Sequence, residues 1–265
     1  MLLNPNVGLL VQELFSDGNE RMTSQSLEIV GIYNDFRDRI AAKVHGEWEF
    51  ESHSFGLVLV TVFRHSFNLY KAIGLLLPDL YYEFESSLLR SLWEISLDLH
   101  WIAQDPDNRS RLFLNFTLVE YRKTLTLSDQ QKFDHAAATY LKDFQFTDKK
   151  RKKRFYSEFL NLKPVDVAKR LGKDWEIEYD RIYKLSCAYV HGSPGVILFP
   201  LNVMPEGQGP SLDIDKERTT KTAIWAMAIM AKLYTLFCAE VGMDDSEYLT
   251  NLEKKVPLKK AFQVL

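Results

Sequence analysis

Cysteine is almost missing from this chain. Only Cys187 and Cys238 occur among 265 residues, both in apolar, helix-like surroundings. That argues against a disulfide framework and for reduced, buried thiols. No Cys/His spacing suggests zinc, so neither a metal nor a cofactor is expected. An excess of either charge is missing too. Thirty-three basic residues face 36 acidic ones, a formal net charge of −3. No global field therefore draws the chain to nucleic acid or anionic lipid, and any such binding needs a local patch. Glycine-rich phosphate loops, metal-ligand pairs and a Ser-His-Asp set with a nucleophile elbow are absent. The opening "MLLNPNVGLLVQELF" has neither the basic leader nor the small-residue cleavage site of a secretory signal.

Uninterrupted apolar runs are lacking as well. "FGLVLVTVFRHSFNLYKAIGLLL" carries Arg64, His65, Asn68 and Lys71 near its middle, and "TAIWAMAIMAKLYTLFCAEV" carries Lys232 centrally. A mid-span charge costs roughly 2.5–3.5 kcal/mol on insertion scales, so both segments read as buried helices of a soluble, cytoplasmic protein with no membrane partner.

What the chain does have is apolar spacing of three and four nearly throughout, with 46% hydrophobic residues. The pattern predicts an all-α fold: one helical-bundle domain over residues 1–265. Helices are expected at roughly 22–45, 54–77, 81–104, 107–125, 129–143, 148–160, 165–171, 176–191 and 215–242. "TKTAIWAMAIMAKLYTLF", apolar all round, is expected at the centre. "SDQQ" at Ser128–Gln131 reads as a capping box. Residues 192–212 read as one long Gly/Pro-rich loop, either an ordered surface crossover or a functional segment.

Three constellations carry candidate chemistry. The first is "KLSCAYVHGSPG". At 100° per residue Asp180, Lys184, Cys187, Ala188 and His191 form a polar stripe, opposite Ile182, Leu185, Ser186 and Tyr189 as the core face. A helix C-terminus favours an imidazolium, so His191 is suited to act as an acid or a phosphate contact, or else to cap the last carbonyls. The second is "SSLLRSLWEISLDLHWIAQDP". Its narrow polar arc, with Arg90 and Glu94 at i and i+4, is either a partly buried pair facing a helix or cleft, or a solvated face. The third is the basic run Lys149, Lys150, Arg151, Lys152, Lys153 and Arg154, a candidate nucleic-acid contact or a solvated face. Phe155 and Tyr156 beside it are either base-stacking or core residues.

Taken together, "RSLWEISLDLHWI", the pair Tyr121-Arg122 and "YKLSCAYVHGS" resemble the domain-of-unknown-function family five-six-seven-seven over about residues 55–200. The resemblance implies helical proteins of bacteria and archaea, with Arg90, Glu94, Tyr183, Ser186 and His191 as the residues kept. The family is in turn similar to the higher-eukaryote and prokaryote nucleotide-binding domains, many of them ribonucleases of toxin and antiviral systems. In those, a His acts as acid or base and an Arg steadies the phosphate. That likeness implies a metal-independent ribonuclease or effector of a prokaryotic defence system, with RNA, a second copy or a partner protein of a defence operon as its partner. His191 would be the acid/base, with Arg90 and Lys184 as phosphate contacts. The chain departs from the group's Arg…His spacing: Lys184 is the cation within that window, and the one true match is Arg39 with His45. The alternative is a non-enzymatic helical module that binds a partner protein or nucleic acid. In it the Arg90–Glu94 and Ser186–His191 groups would fix helix registry.

Overall fold

The computed structural model describes residues 24–46, 48–79, 82–148, 153–156, 162–190, 213–256 and 258. The chain runs through α1 (Ser24–Lys43), α2 (His53–Leu76), a 3-10 turn (Leu77–Asp79), α3 (Tyr82–Ala103), α4 (Pro106–Lys123), α5 (Leu127–Ala136) and α6 (Ala138–Leu141). A two-stranded hairpin follows, β1 (Gln145–Thr147) and β2 (Lys153–Phe155). Then come α7 (Pro164–Leu171), α8 (Lys173–Glu178), a π turn (Tyr179–Tyr183), α9 (Lys184–Val190), α10 (Asp213–Glu240) and α11 (Ser246–Lys255). The fold is all-α, with this one small antiparallel sheet among the described residues.

The bundle forms around α10 because that helix is apolar on every side. Ala223, Ala226, Met227, Ile229, Met230, Leu233, Tyr234 and Phe237 are buried, and α1, α2 and α3 pack on it. Each large side chain so buried contributes about 1.5–3 kcal/mol. The segment Thr219–Glu240 is long and apolar enough to cross a membrane, but 67% of its most apolar window is buried inside the bundle. Between α1 and α2, Tyr33 and Tyr70 stack with centroids 4.0 Å apart, and each hydroxyl donates to the other's carbonyl (2.5 and 3.2 Å). The stack needs Gly74, since a Cβ there would lie 2.8 Å from the Tyr33 ring.

Chain breaks follow local chemistry. Asp105 precedes Pro106, whose missing N–H and fixed φ suit the first helical position of α4. Gly242, at φ +67, ends α10 while Met243 N–H donates to Cys238 O (2.8 Å), the bond that closes a helix on a left-handed residue. Asp245 then ties α11 down. It accepts two bonds from the Arg39 guanidinium and one from Tyr234 (2.8 Å). Arg39, the cation of the one Arg…His spacing match, therefore holds α1 to the α10–α11 corner.

Two expectations are corrected. Within the helix expected at 148–160, the described residues Lys153–Phe155 are a strand instead: Gln145, Phe146 and Thr147 pair with Phe155, Arg154 and Lys153. Six cations at helical spacing repel one another, whereas the strand pairing stacks Phe146 on Tyr156 (5.0 Å, 10°) and sets Arg154 against Asp148 (2.6 Å). The N-cap of this helix lies two residues earlier than expected. Thr126, not Ser128, accepts from Asp129 N–H (3.3 Å) and starts α5 at Leu127. The expected loop at 192–212 lies outside the described residues.

Candidate functional site

The candidate site forms where α3 meets the π turn and α9. A π turn closes i→i+5 bonds, as Lys184 N–H does to Tyr179 O. Residues five apart then share a side of the backbone, where a regular α-helix would separate them by about 140°. Glu178 and Tyr183, five apart, can therefore both reach Trp93 on α3: Trp93 Nε1 donates to Glu178 (3.1 Å), and its ring lies 5.4 Å from Tyr183. The wall continues through Tyr179, stacked on Tyr183 at 5.1 Å, and Trp175.

Arg90 comes to this wall from α3. Its Nη2 donates to Glu94 (3.2 Å) and to the Tyr183 hydroxyl (3.3 Å), and the guanidinium lies 4.9 Å from the Tyr183 ring centre. Arg90 is 19% exposed and Glu94 35%, so the pair is partly buried, facing another helix, as one reading of the narrow polar arc expected. Arg90 Nε is buried with no hydrogen-bond partner among the described residues. Burial, and then the Glu94 charge, push the Tyr183 hydroxyl up to about 12. It stays protonated at neutral pH, able to donate a hydrogen bond but not to act as a base.

A second polar cluster sits one turn away and was not expected from the sequence. Glu178 is 1% exposed and pairs with Lys232 of α10, whose ammonium also lies 4.5 Å from the centre of the Trp175 ring. Burial raises the Glu178 carboxyl, with Lys232 and Trp93 pulling the other way. His100, near the end of α3, stands 4.9 Å from Trp175, and its Nδ1 meets Ser96 O at 2.8 Å. The one usable signal was Lys232, a lone charge in an apolar helix, which required a buried counter-charge somewhere. Nothing local marked Glu178 or His100.

The other expected residues fall as follows. Ser186 and Ile182 are buried, as expected of the core face, but Leu185 is 38% exposed because the π turn shifts the helical phase that 100° per residue assumed. Lys184 is exposed and pairs with Asp180 (2.6 Å), with its ammonium over Tyr179. Arg90, Glu94 and Tyr183 are brought together. His191 and Lys149, Lys150, Arg151 and Lys152 lie outside the described residues; Lys153 is placed in β2. Tyr156 and Phe155 are partly buried against a satellite core of Val119, Ala137, Leu141 and Phe144, and Phe155 also carries the Arg122 guanidinium at 4.7 Å. Their rings are packing residues. Arg122 itself is held by Asp134 through bonds of 2.5 and 2.8 Å. Among the described residues no group of three or more His, Cys, Asp or Glu is placed to hold a metal ion.

Comparison with known proteins adds a family and no activity. No curated protein and no solved structure matches the chain. The model of a family of unknown function, DUF5677, matches residues 56–207, a span that begins in α2 and contains Arg90, Glu94, Tyr183, Ser186 and His191. That match does not extend to the nucleotide-binding nucleases. More than half of the chain lies within it, and the chain belongs to the DUF5677 family.

Proposed function

We propose that the protein is a cytoplasmic effector of a prokaryotic defence system that cleaves RNA without a metal, at a site built from Arg90, Tyr183 and His191. One observation carries the reading. Arg90 is held against Tyr183, on the stretch that leads to His191, with its Nε–H buried and unpartnered among the described residues. A guanidinium with a spare donor suits a phosphoryl oxygen, and Tyr183, kept protonated, supplies another donor. In the proposed step His191 takes the proton of the ribose 2′-hydroxyl as that oxygen attacks phosphorus. The 5′-oxygen leaves and takes up a proton from water, while Arg90 and Lys184 offset the charge on the phosphoryl oxygens. Glu94 and Ser186 hold Arg90 and α9 in place.

Purified protein incubated with labelled RNA in a chelator tests this. Wild type should fragment the RNA, while His191→Ala and Arg90→Ala leave it intact at unchanged melting temperature. Expression in bacteria should show the same pattern in growth arrest. Intact RNA with wild type would sink the reading.

The non-enzymatic alternative is favoured by a different observation: one Arg90 nitrogen already serves both Glu94 and Tyr183, as a registry lock would. It predicts equal binding of labelled RNA, or none, by wild type and His191→Ala, with no cleavage by either. Under either reading, if the run Lys149–Arg154 touches the backbone, neutralising several of its cations weakens RNA binding at low salt and flattens the salt dependence.

A further inference from the structure

Lys232 also borders a second region, where α10, α11 and the end of α3 line an open cleft of about 790 Å³. Its origin is in the sequence. The outward face of α10 carries Ala228, Ala231 and Ala239, which leave the floor low. Meanwhile the Arg39–Asp245–Tyr234 corner and the buried Leu252 and Val256 fix α11 on the bundle. The helices cannot close onto the gap that the alanines leave.

We infer that this cleft is a binding site for a small uncharged molecule with an apolar body and an N–H or O–H group that donates to His100. The volume lies within the roughly 300–1,000 Å³ of small-molecule sites, and the lining surface is mainly apolar, with alanines and leucines interleaved with polar and charged side chains. The polar groups define the ligand. Ser96 O can only accept, so the 2.8 Å contact assigns the hydrogen to His100 Nδ1 and leaves Nε2 as a lone-pair acceptor. Burial lowers the His100 pKa to about 4, so the ring remains neutral and accepting at physiological pH. Thr235 donates its hydroxyl to Ala231 O (2.8 Å), which leaves its oxygen as a further acceptor toward the cleft. Lys232, the cation at the wall, has its charge offset by Glu178, and at the lining Lys254 follows Glu253 in sequence. An anionic ligand would compete with Glu178 for Lys232, and a cationic one would meet Lys232 first. A neutral donor meets neither cost. The inference is independent of RNA cleavage, since none of these residues belongs to the Arg90 site.

N-phenyl-1-naphthylamine, an uncharged dye with one N–H donor, tests the proposal against its N-methyl analogue, which has none. Wild type should bind the dye saturably at one site with blue-shifted emission, and the N-methyl analogue roughly five- to tenfold more weakly, the range of one hydrogen bond. His100→Phe keeps a ring beside Trp175 but removes the acceptor, so it should make the two probes equal. Thr235→Phe, at an exposed position, fills the cleft and should abolish binding of both. Ala239→Leu at the rim serves the same purpose if Thr235→Phe fails to fold. Unsaturable binding, a cleft-filled variant that binds as wild type, or equal affinity of wild type for both probes would overturn the proposal. The cleft would then be a packing gap or a seat for a segment of protein chain.

Discussion

The two polar clusters that flank Trp93 share α3 and the stretch around the π turn, and differ in how completely they are satisfied. In one, Glu178 is buried, accepts from Trp93 and pairs with Lys232, and the aromatic rings of Trp93 and Trp175 close around it. In the other, the Arg90 contacts to Glu94 and Tyr183 are 3.2 and 3.3 Å, at the long end of the hydrogen-bond range, and Nε has no partner among the described residues. A buried charge with every group paired can only be disturbed at large cost, so it holds helices in place. A partly buried cation with a donor to spare can accept a ligand without losing what it already has. The difference separates a structural cluster from a candidate site within a single turn of α3.

The largest effect should come from breaking the satisfied cluster. Lys232→Met leaves the Glu178 charge buried without its cation, and removing one partner of a buried pair costs about 3–5 kcal/mol. Urea unfolding at neutral pH measures it. Adding Glu178→Gln to Lys232→Met should recover part of the loss, because the orphaned charge is then gone. A Lys232→Met cost under about 1 kcal/mol would remove the distinction between the clusters.

Acid should act on the same side of Trp93. The unfolded chain's His100 takes up a proton near the ordinary value of 6.5, whereas the folded ring does so only near 4. Stability contributed by the neutral ring is therefore fully present above pH 6.5 and is lost as pH falls toward 4, by up to about 3 kcal/mol. Glu178, raised by burial, works in the opposite sense, since the folded carboxyl takes up its proton first. The difference between wild type and His100→Phe across pH 7 to 4.5 isolates the histidine. Parallel curves would show that His100 is not the buried neutral ring described here.

Much of this comparison was legible beforehand and part was not. The central place of α10 could be read because apolar residues covered its whole circumference. The Arg90–Glu94 strip stood out because a narrow charged arc on an apolar helix needs a polar neighbour. The orientation of α9 was not legible. A π turn inserts one residue into the helical phase, and "YDRIY" carries no proline, glycine or other mark that announces it. The face assignment built on 100° per residue therefore kept Ile182 and Ser186 inside but misplaced Leu185. Glu178 was missed because its partners, Trp93 and Lys232, lie 85 and 54 residues away in sequence. The strand at Lys153–Phe155 was not legible because its pairing with Gln145–Thr147 and the stacking of Phe146 on Tyr156 join residues up to ten apart, beyond any helical spacing.

The smallest effect on stability, and the sharpest on function, should come from Arg90. Arg90→Ala removes an i,i+4 pair whose acid is 35% exposed and a long contact to Tyr183, so it should cost under about 1 kcal/mol in urea unfolding. If Arg90 steadies phosphate, the same change should lower RNA cleavage roughly a hundredfold, the scale of losing one preorganised donor to a developing charge. Arg90→Lys restores the charge but not the fork, since an ammonium cannot bond Glu94 and Tyr183 from one planar group and still offer the Nε donor. It should therefore keep stability and recover little of the activity. Full recovery by lysine would mean that only the charge matters and the unpartnered Nε has no role. A loss of 3 kcal/mol or more with Arg90→Ala would place Arg90 in the same structural class as Lys232, and the asymmetry across Trp93 would disappear.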